Sequence, residues 1–397
     1  MLSTVLTLLK IGSTKPKPKP DSPPPASYAQ LVVDLETWVN SDRSRRKRFD
    51  TAIHTAHDRN TPHLRNIHCL EDYLHLLDDQ LHWIPSETVR PKDLLFRTLA
   101  IWFVLDQDSV LPYQSPIQPC LGLKQRKVEG LTWLSKWMIQ FSNEIGQFMD
   151  TPGSASAVDT FRQTASYNLD QYVEPRGGWK TFNEFFSRQV KPGRRPIAAI
   201  GDSSIVTSPV DFQFQELHPI AADSTVTTKA LTWPVVQILD DSPYGDRFSN
   251  GIWLHGFLDL DDYHRVHTPV SGTVLEARVI PGQNYMQVEP STSDQNVETD
   301  LAVPNAMGYQ FCQSRGLIVI DTGAGLVAVL PVGMAIVSSV ILTAEVGATL
   351  HKGEELGYFQ FGGSDCVLIF EACLKVRITV EQGEHYQMGS QIGSFTL

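Results

Sequence analysis

The chain is poor in cysteine and has no long apolar run. Five cysteines occur among its 397 residues, an odd number without the C-x-x-C spacing of a zinc site or the paired spacing of a disulfide framework. We therefore expect a reducing compartment and predict a cytoplasmic protein, with a mitochondrial or membrane-associated location as the alternative. No stretch approaches the roughly 20 consecutive apolar residues of a membrane-spanning helix.

The chain also has little positive charge. Its formal net charge is −11 at pH 7, which argues against a nucleic-acid partner and against a broad attraction to anionic lipid. Prolines recur at every second or third position between residues 16 and 25, and this spacing favours an extended segment. We predict that residues 1–27 form a disordered Pro/Lys-rich tail. A targeting segment at residues 1–11 is the alternative, although its apolar stretch is short and arginine is absent.

Helical patterns dominate residues 28–172. Leucines recur at i, i+4, i+7 and i+11 from Leu70 to Leu81, the spacing of one helix face. A second pattern of this kind covers residues 131–149. We therefore predict a helical accessory domain over residues 28–172. Thr181 and Glu184 form a capping-box pattern that opens a further short helix.

The pattern changes after Pro196. Short β-branched runs separated by glycine and proline cover residues 316–321, 326–331, 337–343, 367–370 and 376–380. Many short strands with turn signals indicate a sandwich or barrel. The predicted fold class is α+β, a helical N-terminal domain followed by a mainly β, barrel-sandwich-like domain over residues 173–397. The polar stretch 283–310 is predicted to be a long surface loop.

Two histidines three residues apart, His264 and His267, precede a Pro-x-x-Gly turn at residues 269–272. Histidine titrates near neutral pH, so such a pair suits general acid–base chemistry. The structural alternative, two partly buried histidines at a strand end, explains the pattern equally well. No third ligand follows at a recognisable spacing, so we predict no metal site.

A serine follows two glycines at Gly362-Gly363-Ser364. Such a sequence is usually a turn. Its functional interpretation is a backbone bend that exposes the Gly363 carbonyl to the Ser364 hydroxyl, with glycine tolerating the required dihedral angles. Asp211 follows a Ser-Pro pair and on its own reads as a turn or cap residue. Asp211 has a functional interpretation only as the acid of a catalytic Ser/His/Asp set.

Four segments, in this order, resemble motifs of the phosphatidylserine decarboxylase family. They are WKTFNEFFSR at 179–188, SPVD at 208–211, DYHRVHTPVSG at 262–272 and KGEELGYFQFGGS at 352–364. Each motif is weak alone, and their order makes the resemblance strong over about residues 178–370. The helical N-terminal part resembles the accessory domain of a subgroup that includes the soluble fungal L-tryptophan decarboxylases.

The resemblance implies a chain that cuts itself between Gly363 and Ser364. In the family the serine hydroxyl attacks the preceding glycine carbonyl, and β-elimination from the ester followed by hydrolysis leaves a pyruvoyl group. Carried over, Ser364 is the precursor of the pyruvoyl cofactor, His267 is the general base on Ser364, and Asp211 orients His267. Two chains from one precursor are then expected, and they should stay associated because the short one supplies strands of the same sheet.

The resemblance also implies decarboxylation of a small carboxylic acid that bears an amine. In the family the pyruvoyl carbonyl forms a Schiff base with that amine and takes up the electrons released as CO₂ leaves. His264 corresponds to the histidine assigned to this step, and we expect it to transfer a proton to the substrate carbon.

Three residues depart from the family pattern. Phe212 stands where the family has glycine, and Gly362 and Asp365 replace the usual leucine and threonine around the cleavage site. These departures leave the substrate open. The Asn-Glu-Arg segment common in the phospholipid enzymes is not evident around residues 312–315. Together with the acidic net charge and the lack of an apolar docking helix, its absence favours a soluble amino acid as substrate, for example an aromatic one. Phosphatidylserine is the alternative, and a membrane partner is expected only in that case.

Readings of other classes stay open at this point. A lipoyl- or biotinyl-type carrier needs a lysine at a hairpin tip, and residues 283–314 contain none. A phosphocarrier that uses His264 or His267 would not need Gly363-Ser364. A third alternative is an uncleaved family member that acts as a binding scaffold.

Overall fold

The computed structural model describes residues 28–88, 92–120, 127–228, 230–291, 301–304, 308–334, 339–362 and 364–396. The predicted tail at residues 1–27 and the cleavage-site residue Gly363 lie outside the described residues.

Helices occupy the N-terminal part of the described chain, as the periodicity predicts. The α-helices there are α1 (Gln30–Asn40), α2 (Arg43–Asp58), α3 (Leu70–Leu81), α4 (Asp93–Leu105), α5 (Trp133–Met149) and α6 (Phe182–Phe186), and a further short helix, α7 (Val235–Ile238), lies in the β region. The leucine stripe of α3 is buried along its whole length, so the face predicted from the spacing is the face that packs. Among the described residues, no helix combines the length and apolarity needed to cross a bilayer.

Helix α6 joins the helical part to the β region. The Thr181 side chain accepts a hydrogen bond from Glu184 N at 3.1 Å, and Glu184 Oε2 accepts one from Lys180 N at 2.6 Å. The predicted capping box therefore forms, with its return bond one residue earlier than in the standard pattern. Within α6, Asn183 donates to Asp150 Oδ1 at 2.8 Å and accepts from Phe361 N at 2.9 Å. This side chain ties the end of α5 to the segment that precedes Ser364.

Antiparallel strands make up the rest of the described chain. They are β1 (Ile205–Thr207), β2 (Phe212–Pro219), β3 (Thr225–Thr228), β4 (Leu231–Pro234), β5 (Ile252–Leu258), β6 (Arg265–His267), β7 (Gly272–Ile280), β8 (Glu289–Pro290), β9 (Leu301–Ala302), β10 (Arg315–Asp321), β11 (Leu326–Gly333), β12 (Val340–Leu342), β13 (Thr349–Leu350), β14 (Glu355–Phe359), β15 (Ser364–Phe370), β16 (Arg377–Ile378), β17 (His385–Tyr386) and β18 (Gln391–Ser394). The α+β prediction is confirmed. The domain boundary at residues 172 and 173 stays a prediction, and buried apolar residues of both regions form one continuous cluster.

The largest sheet has eight strands in the order β13-β7-β10-β11-β15-β5-β2-β17. Strand β15 lies inside it between β11 and β5, and every residue of β15 is buried. Ser364 opens this strand, opposite Gly333 on one side and Leu258 on the other. The sequence predicts that this strand begins three residues later, because the polar pair Ser364-Asp365 is typical of a turn.

Residues 283–310 differ from the predicted surface loop where the structure describes them. Tyr285 and Val288 are buried, and both are tied to Asp106 at the end of α4. The Tyr285 hydroxyl donates to Asp106 Oδ1 and Val288 N donates to Asp106 Oδ2, each at 2.8 Å. The prediction was wrong because the polar composition of the stretch outweighed a few apolar residues that dock on the helical region.

Candidate active site

Ser364 has a buried hydroxyl group that is not paired with any described residue. Its side chain is fully buried, and its Oγ has no hydrogen-bond partner among the described residues. Leaving a buried hydroxyl unpaired costs about 1–3 kcal/mol, and such groups in native proteins often have a catalytic role. The backbone enters the strand through Gly362 at φ +138°, a conformation that favours glycine.

His264 also has a buried atom that is not paired with any described residue. Its Nδ1 lies 2.9 Å from the Asp262 carbonyl oxygen, and its Nε2 has no partner among the described residues. The Phe186 ring of α6 covers the imidazole at a centroid distance of 3.9 Å. Burial and then the charge of Arg188 lower the pKa of His264 to about 3. The ring is therefore neutral near pH 7, with the proton on Nδ1 and a free lone pair on Nε2.

His267 is held on both sides of its ring. Its Nδ1 lies 2.8 Å from the Gly353 carbonyl oxygen, and its Nε2 lies 3.0 Å from the Tyr263 hydroxyl. A carbonyl oxygen can only accept, so Nδ1 carries the proton and Nε2 accepts from Tyr263. Burial is the main cause that lowers the pKa of His267. The tautomer that a base needs is thus fixed by a main-chain carbonyl.

Asp211 is occupied by another partner. Its Oδ2 lies 2.6 Å from Arg195 Nη2, its Oδ1 lies 2.9 Å from Arg195 Nε, and Oδ1 also accepts from Met388 N at 2.7 Å. The two side chains of this ion pair are 3% and 4% exposed. A buried carboxylate needs charge compensation, and a guanidinium supplies it through two parallel donors. The expected direct contact between Asp211 and His267 is therefore replaced by the Gly353 carbonyl.

The departure at Phe212 has a steric explanation. A Cβ atom on Gly256 would lie 2.4 Å from the Phe212 ring. Gly256 therefore leaves the space that the Phe212 ring takes, beside Asp211. The bulky residue at a position where the family has glycine does not displace the neighbouring acid from its buried ion pair.

A small cavity of about 20 Å³ ends at Phe361 and Gly362, next to the predicted cleavage site. Its wall includes Leu95 and Thr98 from α4, Leu258 from β5, and Phe361 and Gly362. The lining is mainly apolar. The helical region therefore contributes directly to the space beside the residues that precede Ser364.

Sequence reasoning missed the partners of the predicted site residues. Tyr263 and Gly353 lie inside the quoted motifs and Arg195 lies between two of them, but nothing in a linear pattern pairs these residues with Asp211 or His267.

Comparison with known proteins identifies the family. A sequence model described as phosphatidylserine decarboxylase matches residues 182–394, more than half of the chain. Phosphatidylserine decarboxylase proenzyme 3 of Schizosaccharomyces pombe is 33% identical over 251 residues, which are 63% of this chain and 25% of that protein. Proenzyme 2 of Oryza sativa subsp. japonica is 32% identical over 272 residues, 68% of this chain and 41% of its own length.

A shorter relative is matched over most of its length. The phosphatidylserine decarboxylase proenzyme of Clostridium kluyveri is 31% identical over 251 residues, 63% of this chain and 80% of that protein. The chain thus spans a quarter to two fifths of the long relatives named above. The likeness of the helical region to the tryptophan decarboxylase subgroup stays a prediction, since the family match begins at residue 182. The chain belongs to the phosphatidylserine decarboxylase family, carboxy-lyases that carry a pyruvoyl group formed from a serine.

Proposed function

We propose that this chain is a proenzyme that cuts itself between Gly363 and Ser364 and then decarboxylates an amine-bearing carboxylic acid. The observation that carries the proposal is the buried, unpartnered Oγ of Ser364 at the start of an inner strand. A serine in this place gains nothing in stability from its hydroxyl, whereas the proposed chemistry requires it.

The site fits the family's pyruvoyl group. Residue 364 lies between Gly333 and Leu258 in the sheet, so two neighbouring strands would hold the group. The Ser364 Oγ has no hydrogen bond to a described residue that the chemistry would have to break. When formed, the group supplies an electron sink for the pair of electrons released as CO₂ leaves.

For the cut itself, Ser364 Oγ must lose a proton as it attacks the carbonyl carbon of Gly363, and the bond to the Ser364 nitrogen then breaks. We assign the base to His267, whose Nδ1 is already held by Gly353. Its Nε2 becomes free once the Tyr263 hydroxyl turns away. Asp211 acts as a positioning residue in this assignment, because its carboxylate holds Arg195 and the main chain at Met388 rather than the imidazole.

For decarboxylation, we assign proton transfer to His264. Its pKa of about 3 means that a proton gained on Nε2 is released readily, which suits donation to a substrate carbon. The cover of Phe186 keeps bulk water away from the ring.

For the substrate, we propose a soluble amino acid with an aromatic side chain. The acidic net charge supports a soluble substrate, because it gives no broad attraction to anionic lipid. Phosphatidylserine is the second candidate, and the names of the relatives favour it.

Intact mass under denaturing conditions tests the cut. We expect two pieces, of which the smaller, residues 364–397, has about 4 kDa of the 44.3 kDa chain. A single uncut chain would contradict the proposal and favour the scaffold alternative. CO₂ release from a panel of aromatic amino acids and phosphatidylserine vesicles then separates the two substrates, with Ser364→Ala as the inactive control.

A further inference from the structure

A buried ion pair lies directly behind the cleavage serine. Asp365 follows Ser364 on β15, and successive side chains of a strand point to opposite faces of a sheet. Across the sheet, His255 on β5 brings its Nε2 to 3.1 Å from Asp365 Oδ1. The two side chains are 0% and 1% exposed. Neither residue lies in the four segments that carry the family resemblance. Asp365 directly follows the last of them, where the family usually has threonine.

A second carboxylate faces the same imidazole. Glu216 Oε1 on β2 lies 3.5 Å from His255 Nδ1, and Glu216 Oε2 lies 2.8 Å from His218 Nε2. The register of β2 against β5 shifts between Phe214 and Glu216, a bulge of the kind that aims a side chain at a site. His255 is thus a cation between two anions that come from different strands.

The contacts among Asp365, His255 and Glu216 determine the charges of these side chains. Burial alone would lower the pKa of His255, but Asp365 and Glu216 outweigh it and raise the pKa to about 9. The pKa of Glu216 falls to about 2 because His255 and His218 outweigh its own burial. Burial and then Asp365 raise the pKa of the Tyr309 hydroxyl, so Tyr309 stays neutral.

Stability alone does not explain why an ion pair stands at this place in the strand. Taking two charges out of water costs several kcal/mol per ion, and well-packed apolar residues often serve as well. The rest of β15 is apolar, with Val367, Leu368 and Ile369 fully or almost fully buried. Among the described residues, neither oxygen of Asp365 has a well-aligned hydrogen bond, and His255 is the basic group within ion-pair distance of it. Gln310 Nε2 also lies 3.1 Å from the same His255 Nε2.

We propose that the Asp365–His255 pair is a positioning device that ties the chain end created by the cut to β5. The inference rests on the proposed function. In the uncut chain, Ser364 is held by the covalent link to Gly363 and by the neighbouring strands. After the cut that link is gone, and residue 364 is bonded only to Asp365. The side chain nearest to the new end is then the one that His255 holds.

The pair also has a route for exchange with solvent. A cavity of about 210 Å³ is lined by His255, Tyr309 and Phe257, with polar side chains of β2 at its rim. Protons can therefore reach His255 in the folded protein. The titratable groups that face its ring from the neighbouring elements are Asp365, Glu216 and Tyr309.

The deciding experiment compares cut and uncut chains. Asp365→Asn and His255→Gln are each made in the wild-type background and in the uncut Ser364→Ala background. Amide hydrogen exchange over residues 364–370 is then followed by mass spectrometry. We expect exchange at the start of β15 to rise about tenfold or more in the cut variants and to change little in the uncut ones.

Two further readouts accompany it. The ring resonances of His255 should titrate near pH 9 in the wild type and at lower pH in Asp365→Asn. Turnover per cut chain should fall about 10- to 100-fold in both variants, since small misplacements of a reacting group have effects of that size. His218→Gln is the matched control, because His218 also pairs with Glu216 but is 29% exposed and lies outside the pair.

The outcomes are separable. An uncut wild type overturns the proposed function and this inference with it. If the wild type is cut, two results refute the inference and leave the proposed function standing. One is an equal rise of exchange in cut and uncut variants, and the other is unchanged turnover in the two variants. Should the single variants fail to fold, Asp365→Thr combined with His255→Leu removes both charges together, and wild-type turnover in that protein would also refute the pair's role.

Discussion

The ion pair between Asp211 and Arg195 decides how Asp211 serves the cut. Both side chains are nearly inaccessible, 3% and 4% exposed, with a bidentate contact as short as 2.6 Å. Removing one partner of such a pair leaves a buried charge and costs about 3–5 kcal/mol. Most domains have a total stability of about 5–15 kcal/mol, so the loss is large. We expect Asp211→Asn and Arg195→Gln to destabilise the protein by similar amounts and to slow the cut alike.

Urea unfolding in the uncut Ser364→Ala background measures the stability without interference from cleavage. The fraction of cut chain against time, read by intact mass in the wild-type background, measures the cut. Arg162→Gln is a suitable control, because the Arg162–Glu174 pair has a 2.6 Å contact but side chains that are each 41% exposed. Its loss should cost about 1 kcal/mol or less. Normal cutting in Arg195→Gln together with no cutting in Asp211→Asn would refute the reasoning, since Asp211 would then act on His267 itself.

Four more outcomes are expected. Ser364→Ala and His267→Ala should both remain single chains by intact mass, and a cut His267→Ala would remove that residue as the base. Tyr263→Phe should still be cut, because the hydroxyl only occupies Nε2 of His267; an uncut Tyr263→Phe would make the hydroxyl a proton relay. His264→Ala should be cut but release CO₂ at least about 100-fold more slowly, and full activity would reassign the proton transfer. The stabilisation from protonated His255 should be complete below its ordinary pKa of 6.5 and lost as the pH rises to about 9. The free energy of unfolding should then fall by about 3 kcal/mol, and urea midpoints should show this fall in the wild type and not in His255→Gln.

The helices and the β region could be predicted because their signals are local. The leucine spacing of α3 follows from the 3.6-residue period of a buried helix face, and the short β-branched runs each contain part of an observed strand. The start of β15 was predicted too late because Ser364 and Asp365 are polar, whereas both lie inside the sheet. Hydropathy patterns assign such a polar pair to a turn even where it lies in an inner strand.

The site could be predicted only as a set of residues. The motifs indicate His264, His267, Asp211 and Ser364 as candidates, and their roles stay predictions. Some of their hydrogen-bond partners are close in sequence, as Tyr263 is to His267, whereas others are distant. The carbonyl of Gly353 reaches His267 across 86 positions of sequence, and a main-chain atom has no signature in a pattern of side chains. His255 was missed for the same reason, since its partner Asp365 is 110 positions away.

The place of β15 inside the large sheet bears on how the protein is made. Residues 364–397 supply β15 between β11 and β5, β17 beside β2, and β18 beside β1. Under the proposed cut, the chain folds once as a single polymer and persists afterwards as two. Refolding of the cut protein from denaturant would be a second-order reaction that must rebuild the middle of a sheet, so its yield should depend on concentration, while the uncut Ser364→Ala chain should refold independently of it. The cut protein would then keep its fold because it unfolds slowly, and not because its two pieces reassemble readily.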